Sequence, residues 1–202
     1  EAICRLRNSG IEDPVGDSRK LLAHALRISK KDLIMMNQAS ITEEIKTKFI
    51  SFIELREDLK PVSQILGFRS FWGRDFYIDE NVLDPRPETE TIINHALKRE
   101  FNKVLDLGTG SGIIIITLLL ERQSSLGQAV DISNSALSVA AKNIKKFNLD
   151  GRVSVISSNW CEGVHEKFDL VVANPPYIDR SRNELYDQSI ISWEPEIALF
   201  SN

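Results

Sequence analysis

Cysteine is scarce: Cys4 and Cys161 are the only two in 202 residues. They form neither a CxxC pair nor an evident disulfide framework, which excludes a staple-dependent secreted domain and fits a reducing cytoplasm. Glycine and proline are also few, 10 and 7. With no low-complexity tract between them, disordered and fibrous classes are excluded. Long apolar runs are missing. The longest, Ile113 to Leu120, has eight residues including Thr117, against roughly 18 to 20 for a membrane helix. The N-terminus lacks a basic region followed by an apolar stretch and a small-residue cleavage site. Positive charge is not in excess either: 25 Lys and Arg against 29 Asp and Glu leave a net of −4. That is the wrong sign for a domain whose affinity rests on many phosphate contacts, so a protein or small-molecule partner is favoured over sequence-specific nucleic-acid binding. His24, His95 and His165 match no metal-ligand spacing, and no metal is expected. What remains is a soluble chain, 42% hydrophobic and 27% charged, long enough to bury a core. Because it begins at Glu1 and stops inside a continuing motif, it is expected to be a segment of a longer protein.

From Ile11 to about Lys60 the spacing is helical. Asp17 and Ser18 can cap a segment with Leu21, Leu22, Ala25 and Leu26 on one face, and Ser40 or Thr42 can cap a second with Ile45, Phe49, Phe52 and Ile53. Residues 1–60 therefore read as a small helical domain. Pro61 breaks the helix, and aromatic and β-branched residues punctuated by Gly67 and Gly73 make 61–84 a hairpin linker. A helix is expected from Pro87 or Glu88. Strand patterns at Lys103–Leu107, Gln128–Ile132, Val153–Ile156 and Asp169–Ala173 then alternate with helical patterns at 112–122 and 134–147. That order implies an α/β, doubly wound, Rossmann-like parallel sheet in residues 85–202.

The loop Asp106-Leu107-Gly108-Thr109-Gly110-Ser111-Gly112 follows the first strand and opens a helix. Glycines there let the backbone approach a ligand, and a helix N-terminus offers unpaired N–H groups to an anion. A dinucleotide fingerprint, GxGxxG, fails: its third glycine falls on Ile113 or Ile115. The spacing present, acid-x-Gly-x-Gly-x-Gly, resembles the first motif of class I methyltransferases that bind S-adenosylmethionine. Asp131, 19 residues after Gly112, ends the second strand, where a carboxylate either accepts the ribose hydroxyls of an adenosine or, with Ser133, caps the next helix. At the third strand's end, Ser158-Asn159-Trp160 sits where adenine would lie, and Trp160 is either the ring that covers it or a core residue.

After the fourth strand comes Asn174-Pro175-Pro176-Tyr177. Consecutive prolines stiffen the exit at the carboxyl edge of the sheet, where this architecture binds ligands. The bland alternative is a rigid Asn-Pro turn. The chemical one is orientation of a planar nitrogen, a poor nucleophile with a delocalised lone pair. The Asn174 side-chain oxygen and the Pro175 carbonyl can accept both hydrogens of an NH2 group, and Tyr177 can stack on its plane.

These residues resemble the peptide-chain release factor glutamine methyltransferases, the HemK or PrmC family, over nearly the whole chain. Pro61-Val62-Ser63-Gln64-Ile65-Leu66-Gly67 with Phe71-Trp72-Gly73, Val82-Leu83-Asp84-Pro85-Arg86-Pro87-Glu88-Thr89-Glu90, Asn174 to Ile178, and Glu194-Pro195 with Ala198-Leu199 follow that family's order and spacing. The resemblance implies that residues 1–60 help dock a release factor. It implies that Gly108, Thr109, Gly110, Ser111, Gly112, Asp131, Trp160 and Asn174 contact S-adenosylmethionine. It implies further that Asn174, Pro175, Pro176 and Tyr177 hold the glutamine of a Gly-Gly-Gln tip for methylation of its amide nitrogen, with Arg86 to Glu90 beside the pocket. Asn159 stands where the family usually carries Asp, and the family's sheet continues for further strands beyond Phe200. Two alternatives stay open on the residues alone: a nucleic-acid methyltransferase acting on an exocyclic amino group, which shares the Asn-Pro-Pro-Tyr motif, and a non-catalytic cofactor-binding fragment.

Overall fold

The computed structural model describes residues 1–36, 41–179 and 193–201. The chain divides into two compact units, Glu1–Gly67 and Phe68–Asn202.

The first unit is all helical: α1 (Ala2–Asn8), α2 (Pro14–Leu26), α3 (Lys30–Met35), α4 (Glu43–Glu57) and α5 (Val62–Leu66). Buried Leu6, Ile11, Leu21 and Ile53 form its centre. The start of α2 differs from the expected Asp17 or Ser18. Pro14 occupies the first turn, where a missing N–H costs nothing, and the Asp13 carboxylate accepts from the Gly16 N–H at 2.8 Å. Asp17 instead lies buried inside the helix, accepting from Lys20 Nζ at 3.1 Å and Arg56 Nε of α4 at 3.0 Å. Thr42 caps α4 through the Ile45 N–H; Ser40, the other candidate, is outside the described residues. Residues 62–66, read from sequence as the start of a hairpin linker, form α5, which ends at Gly67 with φ 77°. Pro61 is as compatible with a helix start as with a break, and Val62 and Ile65, one turn apart, find apolar surface on this core.

In the second unit β1 (Phe68–Phe71) and β2 (Arg74–Tyr77) form an antiparallel hairpin. Its two-residue turn, Trp72-Gly73, has φ of 50° and 72°, both positive as the twist of a tight hairpin demands. A 3-10 turn (Pro87–Thr89) leads into α6 (Glu90–Ala96), followed by β3 (Lys103–Leu107), α7 (Ile113–Glu121), β4 (Leu126–Asp131), α8 (Asn134–Lys146), β5 (Val153–Ser157) and β6 (Leu170–Ala173). Four strands make a parallel sheet in the order β5-β4-β3-β6. The Asp169 carboxylate accepts from the Asn102 and Lys103 N–H groups at 2.8 and 2.9 Å, tying the entry of β6 to that of β3. Helix α7 is buried from Ile113 to Leu119, its one buried polar side chain, Thr117, donating to the Ile113 carbonyl at 2.6 Å. It lies so close to β4 that a Cβ on Gly127 would come within 2.7 Å of Ile115. Beyond the sheet, β7 (Ile178–Asp179) pairs in parallel with β8 (Phe200–Ser201), which directly follows α9 (Glu196–Leu199).

From β3 the sheet runs to β4 on one side and to β6 on the other. The loops leaving β3 and β4 diverge from the loop leaving β6, and a crevice opens at the carboxyl ends of the strands.

Candidate active site

A cavity of about 350 Å³ occupies that crevice. The glycine loop forms one wall. Gly108, Gly110 and Gly112 have φ of 70°, 54° and 78°, a region costly for any residue with a Cβ. Space beyond Gly108 and Gly110 is open, whereas a Cβ on Gly112 would stand 3.0 Å from Ile116 and 3.3 Å from Ala140. The first two glycines thus bare the backbone to the cavity; the third lets α7 pack on α8. The loop is closed by Thr109 N–H donating to the Val130 carbonyl at 2.9 Å and Gly112 N–H to the Thr109 carbonyl at 2.8 Å. Below it, the fully buried Asp106 accepts from Thr109 Oγ1 at 2.7 Å. Burial pushes its carboxyl up from 3.8 to about 7, with the Thr109 hydroxyl opposing the shift.

Asp131 is not the cap of α8: Ser133 is, accepting from the Ala136 N–H at 3.2 Å. The Asp131 carboxylate accepts from Gly110 N–H through Oδ2 and from Ser133 N–H through Oδ1, each at 2.9 Å. Two backbone donors orient it on the cavity wall, and each oxygen keeps lone-pair capacity for a further donor. Trp160 is half exposed, at 52%, lines the cavity, and holds a φ of 49°. Beside it, Asn159 Nδ2 donates to Glu162 Oε1 at 2.8 Å, which leaves its amide oxygen to act as an acceptor.

Asn174, Pro175 and Pro176 line the same cavity from the exit of β6. Tyr177 does not; it is 74% exposed at the surface beyond them. Ser111 and Gly112 are likewise outside the lining, buried behind the loop. Of the Arg86 to Glu90 segment only Thr89 reaches the cavity, while Glu90 Oε1 accepts from the Trp72 N–H at 3.2 Å and so holds the hairpin turn. Sequence reasoning gave no role to Asn81, Val82 and Leu83 or to Ile197, Ala198, Phe200 and Ser201, which complete the walls. It also missed Asn143, fully buried on α8. Asn143 Oδ1 accepts from Tyr77 N–H at 2.8 Å, and its Nδ2 donates to the Tyr77 and Ser111 carbonyls at 3.0 and 2.9 Å. One amide thereby joins hairpin, helix and glycine loop. Its signal was a polar residue on the helical stripe of Ala136, Ala140 and Ile144. Among the described residues no group of three or more His, Cys, Asp or Glu side chains is placed to hold a metal ion, and no helix is long and apolar enough to cross a membrane.

Bared backbone, a fixed carboxylate, an aromatic ring and the Asn-Pro-Pro exit line one cavity, in a fold whose family model makes the chain a methyltransferase. Residues 83–192 match the Methyltransferase small domain family model, and residues 1–67 match that of the PrmC N-terminal domain. The release factor glutamine methyltransferase of Cereibacter sphaeroides is 41% identical over 98% of this chain and 71% of its own length. That of Agrobacterium fabrum is 37% identical over 96% of this chain and 70% of its own length. The chain belongs to the release factor glutamine methyltransferase family. Among solved structures, the hMettl16 catalytic domain bound to an RNA hairpin of the MAT2A 3′UTR superposes with a TM-score of 0.53 at 16% identity, covering 76% of this chain and 55% of that one. This is a likeness of fold.

Proposed function

We propose that the cavity binds S-adenosylmethionine and that the chain methylates the side-chain amide nitrogen of the glutamine in the Gly-Gly-Gln tip of a peptide chain release factor. The observation that carries this reading is the convergence on one cavity of Gly108–Gly110, Asp131 and Asn174–Pro176, in a chain of this family. The residues fit the cofactor. Open space over Gly108 and Gly110 admits a ligand against bare backbone, Asp131 has acceptor capacity for ribose hydroxyls, and Trp160 offers a ring to a base.

The cofactor supplies an electrophilic methyl group. Everything else is orientation by this chain. Asn174 Oδ1 and the Pro175 carbonyl accept the two amide hydrogens and hold the nitrogen facing the cavity. They favour the pyramidal, positively charged nitrogen over the planar one, and the proton leaves to water after transfer. No strong base is required. Tyr177, exposed beyond Pro176, covers the acceptor's planar group from outside once the tip is seated. The helical unit Glu1–Gly67 helps dock the rest of the release factor.

The test is transfer of labelled methyl from S-adenosylmethionine to a release factor, the same factor with its Gly-Gly-Gln glutamine replaced, and bulk RNA and DNA. Label is expected on the intact factor alone, and Asn174→Ala is expected to abolish it while circular dichroism stays unchanged. Label on nucleic acid alone would replace the substrate assignment with an exocyclic base amino group, and wild-type turnover by Asn174→Ala would remove Asn174 from the chemistry.

A further inference from the structure

Two stretches that close the cavity, 82–85 and 197–201, contribute side chains with no evident chemistry. Between them lies a charged cluster that the reading above does not use. Asp84 and Glu194 are each only 5% exposed. One guanidinium nitrogen, Arg86 Nη2, spans both Glu194 oxygens, at 3.0 Å to Oε1 and 2.8 Å to Oε2. The Asp84 N–H donates to Glu194 Oε1 at 3.3 Å, and Arg69 Nη1 donates to Asp84 Oδ2 at 3.3 Å. Two carboxylates thus face two guanidinium groups.

Stability alone does not account for this arrangement. Burying Glu194 pushes its carboxyl up despite Arg86, and because the Arg86 side chain is 36% exposed its attraction is screened by water and offsets that cost only in part. Apolar contact is in any case present next door, where Ile178, Leu199 and Phe200 cluster with Leu83. What the ion pair adds is geometry. Apolar surfaces can slide over one another, whereas a carboxylate spanned by a guanidinium nitrogen and a backbone N–H has one seat. That seat lies one residue from Leu83 and Pro85 on one wall and about one helical turn from Ile197 and Ala198 on the other.

We propose that Glu194 and Arg86 are positioning residues of the methyl-transfer site, whose half-exposed guanidinium on a buried carboxylate fixes the wall 197–201 against the wall 82–85 and so sets the width of the cofactor cavity. The inference rests on reading that cavity as the S-adenosylmethionine site. It gives the Arg86 and Glu194 positions a task separate from substrate contact: neither lines the cavity.

Calorimetric titration of S-adenosylmethionine into wild type, Glu194→Gln, Arg86→Met and the double variant tests it, at a temperature where melting curves show all four folded. Glu194→Gln keeps volume and an acceptor for the Asp84 N–H, so it is the mildest change to the fold. Each single variant is expected to weaken binding at least fivefold. The double variant is expected to be no weaker than the worse single, because one interaction is lost and no charge is left alone. Dissociation constants within twofold of wild type, with only the melting temperature lowered, overturn the proposal, as do strictly additive losses. If wild type binds S-adenosylmethionine but labels no release factor, only the substrate reading fails, since the binding comparison still reads the ion pair. If wild type does not bind it, the cofactor reading and this proposal fall together.

Discussion

Single side chains in this site are held by backbone before any ligand arrives. Asp131 receives two N–H groups at 2.9 Å, so its replacement removes the latch on Gly110 and, on the proposed reading, an acceptor for the ribose hydroxyls. Asp131→Ala is therefore expected to weaken S-adenosylmethionine binding at least tenfold, since a hydrogen bond to a charged group contributes roughly 1.5 to 3 kcal/mol. An unchanged dissociation constant would remove Asp131 from the site. Asp106 behaves differently. Its carboxyl, ordinarily at 3.8, is pushed up to about 7 in the fold. Between these values the native state keeps a proton that the unfolded chain has lost, so stability falls as pH rises from about 4 to about 7 and is level above that. The loss is on the order of 4 kcal/mol, about three pKa units at 1.36 kcal/mol each. Asp106→Asn keeps an acceptor for Thr109 and removes the titration. Urea denaturation at pH 5 and pH 8 is expected to show the variant gaining on wild type at the higher pH; identical pH profiles would mean that Asp106 is ionised throughout.

At the scale of elements, the glycine loop depends on partners distant in sequence. Asn143 of α8 satisfies both backbone groups of Tyr77 in β2 and the carbonyl of Ser111. Asn143→Ala leaves these groups unpaired. Each unpaired buried group costs roughly 1 to 3 kcal/mol, but Tyr77 is only half buried and water can reach it. We expect a stability loss of about 2 to 4 kcal/mol together with weaker S-adenosylmethionine binding. Asn143→Asp keeps the acceptor for Tyr77 N–H, loses the two donors, and buries a charge, so it is expected to be no better. Denaturation and calorimetry on the same samples check this; full stability in the alanine variant would show that the hairpin and loop hold themselves.

For the whole molecule, charge decides between classes of substrate. With a net charge of −4, recognition of a protein tip is expected to depend little on ionic strength. Transfer rates to a release factor at 50 and 200 mM salt should agree within about threefold, whereas a protein making 6–10 phosphate contacts loses about 10³–10⁵ in affinity over that range. A steep fall would show instead that the release factor is recognised mainly through charge pairs across the interface, against the expectation from net charge.

The order of strands and helices, the glycine loop and the Asn-Pro-Pro exit were legible in the sequence, because each is written in adjacent residues. Apolar period 2 and period 3.6 alternate, glycines mark the turn, and prolines stiffen a strand's end. Local signals misled where two readings shared one sequence: Asp13 and Asp17 both suit a helix start, and only Pro14 in the first turn and Arg56 on α4 separate them. Val62 to Leu66 carry β-branched residues yet coil as α5 because an apolar core receives them. Tyr177 stands in the motif but points to the surface, since its neighbours Pro176 and Ile178 take the cavity wall and the small core of β7. The pairings of Asn143 with Tyr77 and Ser111, and of Arg86 with Glu194, join residues 32 to 108 apart. A sequence read locally has no term for such contacts; they exist only once the sheet order and the return of the chain after β6 bring those groups to hydrogen-bonding distance.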